Sequence, residues 1–264
     1  PACSYVSQGF PIYVFGGTIL DGSEFISTIS FNRDLKTAED FRGLKIACQR
    51  EESGQIYLKA YLQDNGLELG KDVEFEYVDN PTTALEGLRS GQCDLFIANN
   101  AMGYTYSTSM DDIKVAGAPA DVTGDYPCCR QNSSDDAYHN KFQSLVDFEV
   151  ALIRGYDYYL NNKEDDIKRM VDYSAQTPEY VEAALYGTDS YRNMMDLSPD
   201  PHTNEIVDYY KAMLSIGEIE GDENAMDQYA TSEVYKRALD RLVSQYPDNQ
   251  TYQKLAADFA IYNG

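Results

Sequence analysis

The sequence predicts an α/β protein of two lobes with a ligand cleft and a mostly helical C-terminal region. Three observations carry that prediction. From Leu44 to Asn100 the chain alternates short apolar runs with helical ones, ending in Cys-Asp-Leu-Phe-Ile-Ala-Asn-Asn. Such alternation implies parallel strands, because a parallel strand must return by a crossover, usually a helix. Strand-like runs precede this stretch, at Pro11-Ile-Tyr-Val-Phe15 and in the alternating Phe25–Phe31. From Lys141 onward the pattern is helical almost throughout.

The elements follow in order. Gly16-Gly17 and Gly22-Ser23 are read as lying between the first two strands. Thr37-Ala-Glu-Asp40 has capping-box spacing with Asp in the acidic place, so a short helix is expected before Gly43. Strand 44–48 leads to a helix over 54–65, with Ser53 as its cap and Gly66 as its stop. Strand 73–78 follows, then a helix opening at Pro81 and ending at Gly91, then strand 93–98. Residues 101–140 read as loop-rich, with one strand at Ile113–Ala116. Helices are expected near 141–161, 164–174, 178–186, 203–216, 231–246 and 248–262, with a break at Ser198-Pro-Asp-Pro201. Phe142, Leu145, Phe148, Leu152 and Tyr156 form one stripe of the first of these and read as core. The expected division is 1–33 as the remainder of lobe one, 34–125 as lobe two around a βαβαβ core at 44–98, and 126–264 as a crossover and helical region returning to lobe one.

Composition narrows the function. The chain has 264 residues, 43% of them apolar, enough for a large core. No window approaches the roughly 20 apolar residues of a membrane span. The net charge is −23, from 21 basic and 44 acidic residues. Phosphate backbones are bound by basic surfaces, so nucleic acid is not an expected partner. An anionic ligand is still allowed, since a helix N-terminus and one well-placed Arg act locally. There are 23 tyrosines, which serve as packing residues or as cleft walls, and no Trp. Five cysteines make an odd count in a chain too large to need disulfide staples. Cys48 and Cys93 sit in apolar strand patterns and read as buried thiols. Cys128-Cys129 is the unusual pair.

Open parallel sheets bind ligands beyond the carboxyl ends of their strands, which nominates Gln49–Ser53, Asp79–Thr83 and Asn99–Asn100. Gly17, Thr18 and Ser23 offer either a backbone surface for a ligand, with two hydroxyl donors, or a turn needing positive φ. In Glu51-Glu52-Ser53-Gly54-Gln55, helix amides with Ser53 and Gln55 favour an anion, whereas the two glutamates oppose one or select a cation; simple capping is the plainer reading. Asn99 suits a ligand hydrogen bond or a turn. Cys128-Cys129 reads as a soft-metal or cofactor contact, a vicinal disulfide, two thiols in the cleft, or plain structure. Arg130 beside it suits a carboxylate, sulfonate or phosphate, or else an ion pair. No zinc spacing, P-loop or Gly-x-Ser-x-Gly pattern is present.

Four stretches carry a family resemblance: the opening Pro1-Ala-Cys-Ser-Tyr-Val-Ser-Gln-Gly-Phe-Pro-Ile-Tyr-Val-Phe-Gly-Gly17, Asp34-Leu-Lys-Thr-Ala-Glu-Asp-Phe-Arg-Gly-Leu-Lys-Ile-Ala47, Ser53-Gly-Gln55 opening a helix, and Ala84-Leu-Glu-Gly-Leu-Arg-Ser-Gly-Gln-Cys-Asp-Leu95. Over these the chain resembles the periplasmic substrate-binding proteins of ABC importers. Within them it is similar to the nitrate/sulfonate/taurine-binding group, which shares a domain with the thiamine-pyrimidine synthases. The resemblance implies a type II periplasmic-binding-protein fold and a noncatalytic role without cofactor or metal. It implies delivery of a small organic solute, with an anionic group as an open option, to an ABC transporter permease. It also implies an extracytoplasmic place, periplasmic or as a cell-surface lipoprotein, with membrane contact only through a lipid anchor outside this chain. Members normally begin with a further strand-helix unit of about 80 residues ahead of Pro1, so the chain is expected to be a piece lacking it. The ligand residues expected are Gly17, Thr18, Ser23, Ser53, Gly54, Gln55, Asn99, Cys129 and Arg130. Two alternatives stand beside this: an enzyme of the thiamine-pyrimidine-synthase type, whose longer Cys cluster lies near the place of Cys128-Cys129, and a ligand-sensing domain of a signalling protein.

Overall fold

The computed structural model describes residues 1–50 and 52–264. Its strands are β1 Ile12–Asp21, β2 Ser23–Thr28, β3 Lys45–Cys48, β4 Glu74–Tyr77, β5 Leu95–Asn99, β6 Ile113–Gly117, β7 Pro127–Ser134 and β8 Met195–Leu197. Its α-helices are α1 Ala2–Ser7, α2 Ser53–Asp64, α3 Pro81–Ser90, α4 Met102–Ser109, α5 Ala120–Thr123, α6 Asp135–Asn140, α7 Phe142–Asn161, α8 Lys163–Ser174, α9 Pro178–Tyr186, α10 Thr203–Ser215, α11 Glu233–Gln245 and α12 Gln250–Asn263. They fold into two compact units. The first takes residues 1–20, 127–169 and 197–264, the second 21–126 and 170–196.

The second unit is built on a five-stranded sheet in the order β4-β3-β5-β2-β6. β3 runs parallel to β4 and to β5, and β2 is antiparallel to β5 and β6. The expected βαβαβ core is therefore present, with α2 and α3 as its crossovers. β3 and β5 read as apolar runs because both faces are covered, whereas the edge strand β4, Glu74-Phe-Glu-Tyr77, alternates and is largely exposed. Successive residues point to opposite faces: Phe25, Ile46, Leu95 and Ile97 pack with Phe41, Leu58 and Leu62 on one side. Ile26, Ala47, Phe96 and Ala98 pack with Leu85 and Leu88 on the other. β2, which the sequence grouped with residues 1–33, is hydrogen-bonded into this sheet instead. The Thr37–Asp40 capping box forms and opens a 3-10 turn, Ala38–Phe41. Asn80 caps α3, Pro81 starts it, and Gly91 closes it with φ 73°.

The first unit carries the antiparallel pair β7-β1. Phe15 of β1 packs with Val146 and Ile153 of α7 and with Val234, Tyr235, Ala238, Leu239 and Leu242 of α11. The spacing along α11 is that of one helical face.

Four expectations are corrected here. Gly16 and Gly17 lie inside β1, not in a turn; the change of direction falls at Asp21 and Gly22, with φ 59° and 88°. The 101–140 stretch is ordered into α4, α5, α6 and β7 besides the expected β6. Of the expected α7 stripe Phe142 and Leu145 pack against the core, but Phe148 is exposed and the buried line is Val146, Glu149 and Ile153. Ser53 is the first residue of α2, but the cap is Glu52.

Candidate functional site

In the second unit the site is built where β3 ends and α2 begins, at the carboxyl edge of the parallel strands. The Glu52 carboxylate accepts hydrogen bonds from the amides of Gly54, at 3.0 Å, and Gln55, at 2.7 Å. The Ser23 hydroxyl, at the start of β2, donates to the same carboxylate. Three donors from two elements thus converge on one oxyanion, and the first-turn amides of a helix favour such a charge. Burial pushes the Glu52 carboxyl above its ordinary range, against the opposing pull of Ser23, Gln55 and Gly54. Glu51, the other glutamate of the pair, lies outside the described residues.

Gly54 is required by the crowding at this point. A Cβ there would fall 2.5 Å from Ser23 Oγ and 2.8 Å from the Tyr126 hydroxyl. Tyr126 is fully buried and stacks on Tyr57, ring centroids 5.3 Å apart. Gln55 is fully buried, and neither its Oε1 nor its Nε2 makes a hydrogen bond. An orphaned buried amide costs on the order of 1–3 kcal/mol. Ser53 is buried in the same turn. Asn99 is exposed at the end of β5, paired in register with Ser23. Its neighbour Asn100 is occupied structurally: it donates to Ala184 O and accepts from the Met194 amide.

The sequence reading missed a second carboxyl beside this site. Glu24 is buried in β2, and its Oε1 accepts from the Tyr191 hydroxyl at 2.6 Å. Burial raises it to about 7. Gly103 makes room for it, since a Cβ there would meet Glu24 Oε2 at 2.0 Å. Only the alternation of Ser23-Glu-Phe-Ile-Ser-Thr in a two-faced sheet signals a buried Glu.

In the first unit, Gly17, Thr18, Cys129 and Arg130 are neighbours on β1 and β7. Gly17 donates to Pro199 O, and a Cβ on it would lie 2.1 Å from Asp200 O, so chain packing requires the glycine. The Thr18 hydroxyl accepts from Gln131. Gly17 and Thr18 line a cavity of about 220 Å³ together with Leu152, Tyr156, Tyr159 and Pro199. Leu152 and Tyr156, read from sequence as core, are thus cavity walls.

Arg130 spends most of its guanidinium on backbone. Nε donates to Pro201 O, and Nη1 donates to Ile19 O and Cys129 O. Nη2 is buried and makes no hydrogen bond. Burial lowers the guanidinium to about 10, although Glu205, Cys128, Asp200 and Cys129 all pull it up. The nearby 198–205 segment carries a polar network absent from the sequence reading. Asp200 Oδ1 accepts from the His202 amide and from Asn263, and His202 stacks on Tyr262. The break at Pro199 and Pro201 was its only sequence signal. Among the described residues no group of three or more His, Cys, Asp and Glu is placed to hold a metal ion.

Residues 23–145 match the family model described as ABC transporter, phosphonate, periplasmic substrate-binding protein. That span contains Ser23, Glu52, Gly54, Gln55 and Tyr126. The periplasmic aliphatic sulphonate-binding protein SsuA from Escherichia coli is 14% identical, with a TM-score of 0.64 over 88% of this chain and 73% of its own. The periplasmic nitrate-binding protein NrtA from Synechocystis PCC 6803 is 13% identical, with a TM-score of 0.67 over 93% of this chain and 74% of its own. The desulfurization enzyme DSZB is 14% identical, with a TM-score of 0.58 over 90% of this chain and 84% of its own, so the fold also hosts an enzyme. A comparison with curated protein sequences finds no match. The fold is that of the type II periplasmic binding proteins. The family model lying over the second unit's sheet is that of ABC-transporter periplasmic substrate-binding proteins, in line with the resemblance read from the sequence.

Proposed function

We propose that the chain is an extracytoplasmic solute-binding protein that delivers a small organic oxyanion, of the phosphonate or sulfonate kind, to an ABC importer. The observation that carries this reading is the Glu52 carboxylate in the grip of Ser23 Oγ and the amides of Gly54 and Gln55. It marks an oxyanion seat at the carboxyl end of a parallel sheet, where such folds take ligands. The side-chain amide of Gln55, buried without a partner, supplies further hydrogen-bonding capacity in the same turn. A solute oxyanion would take the place of Glu52, and Tyr57 and Tyr126 would wall its organic part. Ser23, Ser53, Gly54, Gln55 and Asn99 are the proposed ligand residues of this unit, and Gly17, Thr18, Cys129 and Arg130 those of the other.

The partners proposed are the solute and an ABC permease. No described helix is long and apolar enough to cross a membrane, and the extracytoplasmic assignment rests on the family match. An isothermal titration with alkylphosphonates, alkanesulfonates and nitrate tests the reading. Saturable binding of one member at one site supports it. Turnover of a sulfinate or sulfonate, rather than binding alone, would favour an enzyme.

A further inference from the structure

Cys128 and Cys129 stand apart from the other thiols. Cys3, Cys48 and Cys93 are buried, and burial raises Cys3 and Cys93 to about 11. Cys128 and Cys129 are both exposed and are not joined in a disulfide. Adjacent residues of a regular strand point to opposite faces, yet these two sulfurs lie 3.6 Å apart. The register explains it. Ile19 pairs with Cys129 while Leu20 pairs with Pro127, so Cys128 is the extra residue of a β-bulge. A bulge turns a side chain out of its regular direction. The Cys128 thiol lies against Cys129 Sγ, and the Arg130 guanidinium is close by. Both favour a thiolate at Cys129, which falls to about 6, against the effect of burial.

We infer that Cys128-Cys129 is a redox-active modification site, a vicinal dithiol that takes small disulfides as its oxidant and closes to a vicinal disulfide. The bulge, the 3.6 Å separation and the joint exposure carry this inference. In the first step the Cys129 thiolate attacks one sulfur of RSSR, forming Cys129–S–S–R and releasing RS⁻. In the second, Cys128 gives its proton to RS⁻, and its sulfur attacks Cys129 Sγ and expels the second RS⁻, which takes a proton from solvent. The two protein sulfurs thus supply two electrons to one disulfide, while Cys128 supplies one proton and solvent, which received the proton Cys129 lost on ionising, supplies the other, giving two RSH. The exchange takes place on Cys129, itself one of the residues proposed to hold the solute. It acts on a strand that Arg130 ties to Ile19 O and Pro201 O.

The test uses the whole chain, reduced and then exposed to glutathione disulfide, with peptide mass mapping over time. The expected result is loss of two hydrogens confined to the peptide holding Cys128 and Cys129, with Cys3, Cys48 and Cys93 still alkylatable after unfolding. Cys128→Ser should instead stop at a stable mixed disulfide on Cys129, and Cys129→Ser should slow the reaction at least 10-fold. Two glutathione adducts on the wild-type pair, or a pair that reacts no faster than the buried thiols, would overturn the inference.

Discussion

Glu52 of the second unit and Glu149 of the first show how differently the same side chain can be held. Glu52 sits at a helix N-terminus with three donors on its carboxylate. Glu149 is fully buried on α7, and neither of its oxygens makes a hydrogen bond. It lies against Gly16, where a Cβ would meet its Oε2 at 2.5 Å. Burial raises it to about 8, with Asp200 adding to the effect. The first carboxyl has three donors that favour its charged form, although burial still pushes it above its ordinary range. The second is kept as a neutral acid within a core, because a lone buried charge is far more costly than a buried proton. The proposed oxyanion seat is therefore placed at Glu52.

The largest effect expected concerns Glu149. Its folded value is raised above the ordinary 4.5, so the folded chain holds a proton that the unfolded chain releases. That contribution is fully present below about 4.5 and is lost as pH rises through about 8. Each unit is worth about 1.4 kcal/mol, which bounds the loss at roughly 5 kcal/mol. Urea unfolding from pH 5 to 9 should show declining stability, and Glu149→Gln should remove the largest single part of the decline, leaving the parts due to Glu24, raised to about 7, and Glu52. An unchanged slope in the variant would break the contrast between the two glutamates.

Next comes Gly54→Ala, whose Cβ has no room beside Ser23 and Tyr126. Overpacking of this kind costs about 1–3 kcal/mol. The unfolding midpoint should fall, and oxyanion affinity should drop at least about 10-fold, the equivalent of roughly 1.4 kcal/mol. Wild-type affinity in the variant would remove the site from this turn.

Glu52 sharpens the comparison from the other side. Glu52→Ala removes an N-cap worth about 1 kcal/mol. Because Glu52 competes for the solute's donors, Glu52→Gln should bind a sulfonate more tightly at neutral pH. In the wild type, protonation of Glu52 removes the competing charge, so sulfonate affinity should rise as pH falls. That dependence should vanish in Glu52→Gln, which a titration series across pH can read.

The smallest effect is expected at Gly155, inside α7 on the wall of the first unit's cavity, where an added Cβ meets nothing within 4 Å. Gly155→Ala should stabilise by about 0.5–1 kcal/mol through helix propensity. Thermal unfolding checks this, and oxyanion affinity should stay unchanged.

The parallel core was legible in the sequence because its signals agree. Ile46, Phe96 and Ile97 lie in runs buried on both faces, and Asn80, Pro81 and Gly91 punctuate the helix between them. β7 was not legible. Pro127-Cys-Cys-Arg-Gln-Asn-Ser-Ser134 has no apolar alternation, since it is a largely exposed edge strand held by backbone pairing to β1. Gly16 and Gly17 looked like a turn because glycine in a strand is uncommon. They are there because Glu149 and the 198–200 backbone come too close for any side chain. Of the site, Ser23, Gly54 and Gln55 were nominated by position. That Glu52 rather than Ser53 would cap α2 depended on the backbone path after β3, which no local preference reveals. Glu24 and Glu149 were hidden for the same reason: their burial is set by tertiary packing.

The central claim is that a solute oxyanion takes the place of Glu52 on the Gly54 and Gln55 amides. Amide chemical shifts of ¹⁵N-labelled protein, followed during titration with an alkanesulfonate and an alkylphosphonate, test it most directly. The account predicts that the Gly54 and Gln55 resonances move together and saturate with the calorimetric binding curve. Saturable binding that leaves both amides unmoved would contradict it.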